Sequence, residues 1–115
     1  MDANELLDLY TSVVAVGTEK ALVNRLDTGI TGVKSTATAT RRVVGIIGRC
    51  ANTGYIVGRI DQTPVITVDM SSLNAQTVPI PLDIAVPVGS ELKFKAQSSS
   101  GTAAVYMTAL VAVGA

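Results

Sequence analysis

Thr77-Val-Pro-Ile-Pro-Leu-Asp-Ile-Ala-Val-Pro-Val-Gly-Ser-Glu-Leu-Lys-Phe-Lys-Ala96 decides the fold. Val78, Ile80, Leu82, Ile84, Val86 and Val88 form an apolar face at period two, the signature of a strand. Pro79, Pro81 and Pro87 interleave with them, and a residue without an N–H is confined to sheet edges, strand starts or bulges. Val88-Gly-Ser-Glu91 then reads as a turn. Beyond it Leu92, Phe94 and Ala96 alternate with Lys93, Lys95 and Gln97. The pattern is that of an antiparallel sheet with one face in a core and the other in water.

Working outward, the same signature recurs. Strands are expected over Ser12–Val16, Lys20–Leu26, Val33–Thr40 (with a weak apolar side), Val43–Ile47, Tyr55–Ile60, Val65–Met70 and Ala103–Val113. Turn or loop chemistry separates them at Gly17-Thr18, Asp27–Gly32, Cys50–Gly54, Asp61–Pro64 and Gln97–Gly101. Ser71–Gln76 is a polar connector. Eight or nine strands about ten residues apart predict one all-β domain, an antiparallel β-sandwich or jelly-roll-like barrel over residues 12–115. Residues 1–11 are expected to be a short N-terminal helix or arm. Asp2 and Glu5 have the spacing of a capping box, and Leu6, Leu7 and Tyr10 share a helical face. Two or three turns are marginal alone, so the segment needs something to dock on.

Composition narrows the function. The chain has 115 residues, no histidine, one cysteine (Cys50) and zero net charge, with 9 basic and 9 acidic residues. Without histidine the commonest general base, zinc ligand and pH switch are missing, and neutrality gives no field to attract nucleic acid or an anionic membrane. The acidic start is unlike a secretory signal, the apolar runs are too short to span a bilayer, and a single cysteine fits synthesis in a reducing cytosol. Only 16% of residues are charged, against roughly 25% in ordinary soluble domains. A sheet protein so poor in gatekeeper charges is expected to cover its surface with other subunits.

Candidate chemistry is thin. Asp69 and Asp83, on consecutive strands, are the one pair that could serve as glycosidase-like carboxylates about 5 to 10 Å apart; ordinary strand-end acids are commoner. Cys50 has no histidine to activate it and reads as a small buried hydrophobe. Gly45-x-x-Gly48 lacks the Lys-Ser/Thr of a phosphate loop. Arg41-Arg42, with Arg49 and Arg59, is the one basic cluster, and on an unbroken strand Arg41 and Arg49 face the same side. With three Tyr and one Phe the chain offers few stacking platforms for bases or sugars. No catalytic, cofactor or metal residue is assigned, and the chain is expected not to be an enzyme.

The short N-terminal segment, the charge-poor Thr/Ala/Val/Gly-rich body and Pro81-Leu-Asp-Ile-Ala-Val-Pro-Val-Gly-Ser-Glu-Leu-Lys-Phe94 resemble the small β-barrel or jelly-roll cement (decoration) proteins of tailed bacteriophage capsids. The resemblance implies a homo-oligomer, a trimer by preference, that binds the major capsid protein on the virion surface and bridges capsomers. Leu6, Leu7 and Tyr10 would be its anchors and Arg41 and Arg42 polar rim contacts, with avidity from multivalent seating. On that basis Leu6→Asp with Leu7→Asp is expected to abolish shell binding and leave the domain folded. The competing reading is a small carbohydrate- or receptor-binding sandwich whose ligand sits on loops Asn52–Tyr55 or Ser98–Thr102.

Overall fold

The computed structural model describes residues 5–11, 16–27, 29–50, 52–70, 79–101 and 104–114. Among these residues ten strands run β1 Glu5–Thr11, β2 Glu19–Ala21, β3 Val23–Asn24, β4 Gly32–Lys34, β5 Thr40–Cys50, β6 Thr53–Ile60, β7 Thr63–Asp69, β8 Ile80–Val86, β9 Glu91–Ser100 and β10 Val105–Gly114. They form two antiparallel sheets. Sheet A has the order β3-β1-β10-β5-β8, and sheet B the order β2-β9-β6-β7 with β4 also on β9.

The pairing is nested. β1 lies against β10, β2 and β4 against β9, β5 against β8, and β6 against β7. The first half of the chain therefore runs against the second as one long hairpin. The hairpin is wound so that β10 also meets β5 and β9 also meets β6. That is a jelly roll, the double-sheet way of folding a β ribbon onto itself.

The core lies between the sheets. Leu92, Phe94 and Ala96 point into it from β9, and Lys93 and Lys95 point out, as their alternation predicts. Phe94, 1% exposed, needs an absent side chain opposite: a Cβ on Gly58 of β6 would lie 3.0 Å from the Phe94 ring and 2.8 Å from Ile66 Cγ2. From sheet A the core receives Leu9, Val43, Ile46, Met107, Ala109 and Val111.

Among the described residues the N-terminal segment is not a helix. Residues 5–11 are β1, an inner strand of sheet A paired with β10 over all seven residues; the capping residue Asp2 lies outside the described residues. Leu7, Leu9 and Thr11 are buried while Leu6 and Asp8 are exposed. The sequence Leu-Leu-Asp-Leu satisfies period two as well as period 3.6, and a short helix gains too little by itself to outweigh a full ladder of sheet bonds.

Other boundaries move for local reasons. Lys20–Leu26 is not one strand: β2 belongs to sheet B and β3 to sheet A, and the chain changes sheets at fully buried Leu22. Val33–Thr40 is not one strand: it gives the end of β4 and the first residue of β5, because between them Thr36 and Ala39 exchange backbone bonds and Thr36 Oγ1 accepts from the Ala39 N–H. Side-chain bonding of this kind competes with a sheet ladder. Ser12–Val16 and Ser71–Gln76 fall almost wholly outside the described residues, Val16 alone forming an isolated bridge to Ser98.

The β6–β7 turn is Asp61-Gln62 with φ of 50° and 71°, a pair of left-handed residues of the kind a tight hairpin needs. Asp tolerates that region; Gln does so at a cost of about 1–2 kcal/mol. Gln62→Gly is expected to raise the melting temperature by roughly 3 °C or more, since relief of strain exceeds the added entropy of the unfolded glycine. A lower melting temperature would contradict a left-handed Gln62.

Candidate functional site

The outer face of sheet A is built from residues of alternate parity on four strands. One row across it is apolar: Leu6 of β1 opposes Leu110 of β10, which opposes Gly45 of β5, which opposes Pro81 of β8. Leu6 is 67% exposed. Gly45 leaves room for its neighbour, since a Cβ there would stand 3.2 Å from Leu110 Cδ1. The next row is Asp8, Thr108 and Ile47, and the next Tyr10, Tyr106 and Arg49. The rings of Tyr10 and Tyr106 stack at 6.0 Å and 18°, and the Arg49 guanidinium sits 5.3 Å from the Tyr106 ring centre.

A loop flanks this face at the β3 side. Asn24 Oδ1 accepts from the backbone N–H of Leu26 (2.9 Å) and Asp27 (3.1 Å), and Asp27 Oδ1 accepts from that of Gly29 (3.1 Å). The Asn24 N–H donates to Ile30 O at 2.8 Å, and the Arg25 N–H ties the loop to Asp8 O at 3.1 Å. These bonds hold Leu26 out at 90% exposure, with Ile30 also exposed. An apolar side chain carried on a bonded turn is presented to a partner without a large ordering cost.

The five residues expected at a partner interface separate. Leu6 lies outward on the sheet A face, and Tyr10 lies two rows along the same face, half-buried in the tyrosine stack. Leu7 points the other way, into the core at 9% exposure. Arg41 binds Glu5 (Nε to Oε1, 3.0 Å) and donates to the Lys34 carbonyl (2.6 Å). Arg42 pairs with Asp83. Both arginines are thus engaged inside the chain. Arg41 and Arg49 do not share a side, because Val44 is an extra residue in β5 against β10 and reverses the parity along the strand.

The remaining candidates settle readily. Asp69 lies in sheet B and Asp83 in sheet A, both exposed on strands of different sheets, so they do not face one cleft. Cys50 is buried, and burial pushes its thiol pKa up, which makes it a poor nucleophile. Around the Asn52–Tyr55 and Ser98–Thr102 loops the polar groups serve the fold: Ser98 Oγ donates to Gly101 O at 2.6 Å, and Thr53 Oγ1 and Ser99 Oγ are 3.1 Å apart. Thr102 lies outside the described residues. Among the described residues no group of three His, Cys, Asp or Glu is placed to hold a metal.

Sheet B carries a bonded charge cluster on its outer face. Arg59 grips Glu19 through two bonds of 3.0 Å, spanning from β6 to β2 across β9. The Tyr55 hydroxyl donates to Glu19 Oε2 at 3.0 Å and lies 2.6 Å from Gln97 Oε1. Val57, on the same face between Tyr55 and Arg59, is buried beneath this group. The Arg59 bonds hold the Glu19 carboxyl below its usual range, burial opposing and Tyr55 assisting. Its stabilisation is therefore full above the unfolded value of about 4.3 and is lost as pH falls through the lower folded value. Glu19→Gln is expected to melt below wild type at pH 7 and to converge with it in acid, read by thermal melts across pH. A constant gap down to acid would show that the ion pair does not stabilise the fold.

Sequence reading missed the Tyr10–Tyr106–Arg49 stack. Its signal was the shared even parity of Leu6, Asp8 and Tyr10 and of Tyr106, Thr108 and Leu110, which becomes visible only once β1 is known to be a strand. In comparisons with known proteins, the chain matches no family model, no curated sequence and no solved structure.

Proposed function

We propose that the chain is a homo-oligomeric structural protein of a virion, a cement or decoration protein that stabilises a capsid by bridging capsomers. A trimer is the favoured state, the major capsid protein the partner and the capsid surface the location. The jelly roll is a fold of viral capsid domains, but also of lectins and cupins, so the fold alone decides nothing. The observation that carries the reading is the rigid display of exposed apolar side chains, Leu6 on β1 and Leu26 on its bonded turn, beside a neutral sheet face.

Edge pairing is a poor alternative route to association. β8 carries Pro81 with a register break against β5, β7 carries Pro64 with a register break against β6, and β2, β3 and β4 are only two or three residues long. Proline, bulges and shortness are the devices that prevent strand addition. Contacts with other subunits therefore run through faces and loops, where Leu6 and Leu26 stand.

Co-sedimentation of the purified chain with empty tailed-phage shells lacking their decoration protein tests this. Saturable binding is expected for wild type, with a loss of at least about tenfold in affinity for Leu6→Asp or Leu26→Asp, each melting like wild type. Binding that never saturates, or that both variants retain, overturns the reading. The second reading, a ligand-binding sandwich, is favoured by one feature, the pocket on the same sheet.

A further inference from the structure

We propose that the pocket on the outer face of sheet A binds a carboxylate carried on a small apolar body, with Arg49 as its principal partner. The pocket holds about 310 Å³ and is lined by Asp8, Arg25, Ile47, Arg49, Tyr106 and Thr108, among others. Ligand pockets begin at about this size, so the occupant is a small organic acid or one acidic side chain.

Arg49 is the exception among five arginines. Arg25 pairs with Asp8, Arg41 with Glu5, Arg42 with Asp83 and Arg59 with Glu19. Arg49 forms no ion pair with any described carboxylate; it lies over the Tyr106 ring at 5.3 Å. That ring is stacked on Tyr10, so guanidinium and two aromatic planes stand in series on three neighbouring strands. Arg49 is exposed beside the ring, and a guanidinium held on an aromatic ring can still offer its N–H edge to a carboxylate through two parallel bonds. A donor fixed beforehand loses little freedom on binding.

The rest of the lining sets the ligand's class. Ile47 supplies an apolar floor beside Thr108 in the middle row. Asp8 is already engaged, accepting from Thr108 Oγ1 at 2.6 Å and facing Arg25 at 3.9 Å. Its negative charge on the opposite wall disfavours a dianion such as phosphate, while the loosely held Arg25 can add a second contact to a monoanion. A carboxylate with an apolar body satisfies both walls and the floor. The free chain is sufficient for this site, so its failure and the failure of shell binding are separate results.

The test is an NMR titration of the full chain with phenylacetate, with the uncharged phenylacetamide as control and the blocked peptide Ac-Leu-Glu-NH2 as a second arm. Expected are saturable shifts of Arg49 Nε–H and the Tyr106 ring, at a dissociation constant of about 1 mM, for the carboxylates and not for the amide. Arg49→Gln is expected to weaken binding at least about tenfold with an unchanged melting temperature, and Arg49→Lys to restore only part of it. Tighter binding of the peptide assigns the site to an acidic side chain of a partner protein, and tighter binding of phenylacetate to a free acid. Shifts that stay linear, that phenylacetamide reproduces, or that survive in Arg49→Gln overturn the proposal.

Discussion

Leu7→Asp is expected to unfold the chain at room temperature, while Leu6→Asp, one residue earlier, leaves its melting transition essentially unmoved. The two leucines lie on opposite faces of β1. Leu6 is solvent-facing opposite Leu110, and Leu7 belongs to the core cluster. The described core cluster around Leu7 is wholly apolar and the nearby Arg41 is already held by Glu5, and a buried unpaired charge costs several kcal/mol against a total stability of about 5–15 kcal/mol. Circular dichroism of the two single variants decides the matter. The double substitution, expected from sequence to leave a folded domain, is instead expected to unfold through Leu7 alone. If both single variants melted like wild type, β1 would not be a strand of the sandwich.

Phe94→Ala is the second large effect, expected at about 3–5 kcal/mol in urea denaturation. Phe94 is the single phenylalanine of the chain and is fully buried in the middle of β9. Its ring occupies the space that Gly58 leaves open, and Leu92, Ile66 and the backbone of β6 surround that space. Gly58→Ala alone is expected to cost about 1–3 kcal/mol by overpacking. Combined with Phe94→Leu it is expected to cost less than the sum of the two, since one change makes room for the other. Strict additivity would mean that Gly58 and Phe94 do not share the space.

These effects trace how far the sequence could be read. The stretch from Ile80 to Ala96 was legible because proline and alternation point the same way: an edge strand, a turn at Gly89 and an inward row of Leu92, Phe94 and Ala96. Two-period alternation gave the sheets but not their assignment, since nothing local marks Leu22 as the residue where the chain leaves sheet B for sheet A. Of the helix or arm expected at the N-terminus, the helix failed because Leu6, Leu7 and Tyr10 share a helical face while Leu7 and Leu9 also alternate as a strand, and the choice was made by β10, about a hundred residues away. The exposure of Leu6 fits either period; the burial of Leu7 does not, because only the strand turns it inward.

The candidate pocket was illegible for a related reason. Val44 adds a residue to β5, so Arg42 and Arg49 reach the same outer face despite an odd separation. Parity counted along an unbroken strand places Arg49 with Arg41 instead. The tyrosine stack joins β1 to β10, and no spacing within either strand announces it. That four arginines pair with carboxylates while Arg49 meets none among the described residues is a property of the folded chain.

The most direct measurement is the solution mass of the wild-type chain by light scattering, made over a range of concentrations. A structural subunit that associates with copies of itself is expected at a mass near three times the 11.8 kDa chain. A clean 11.8 kDa species at every concentration would contradict self-association.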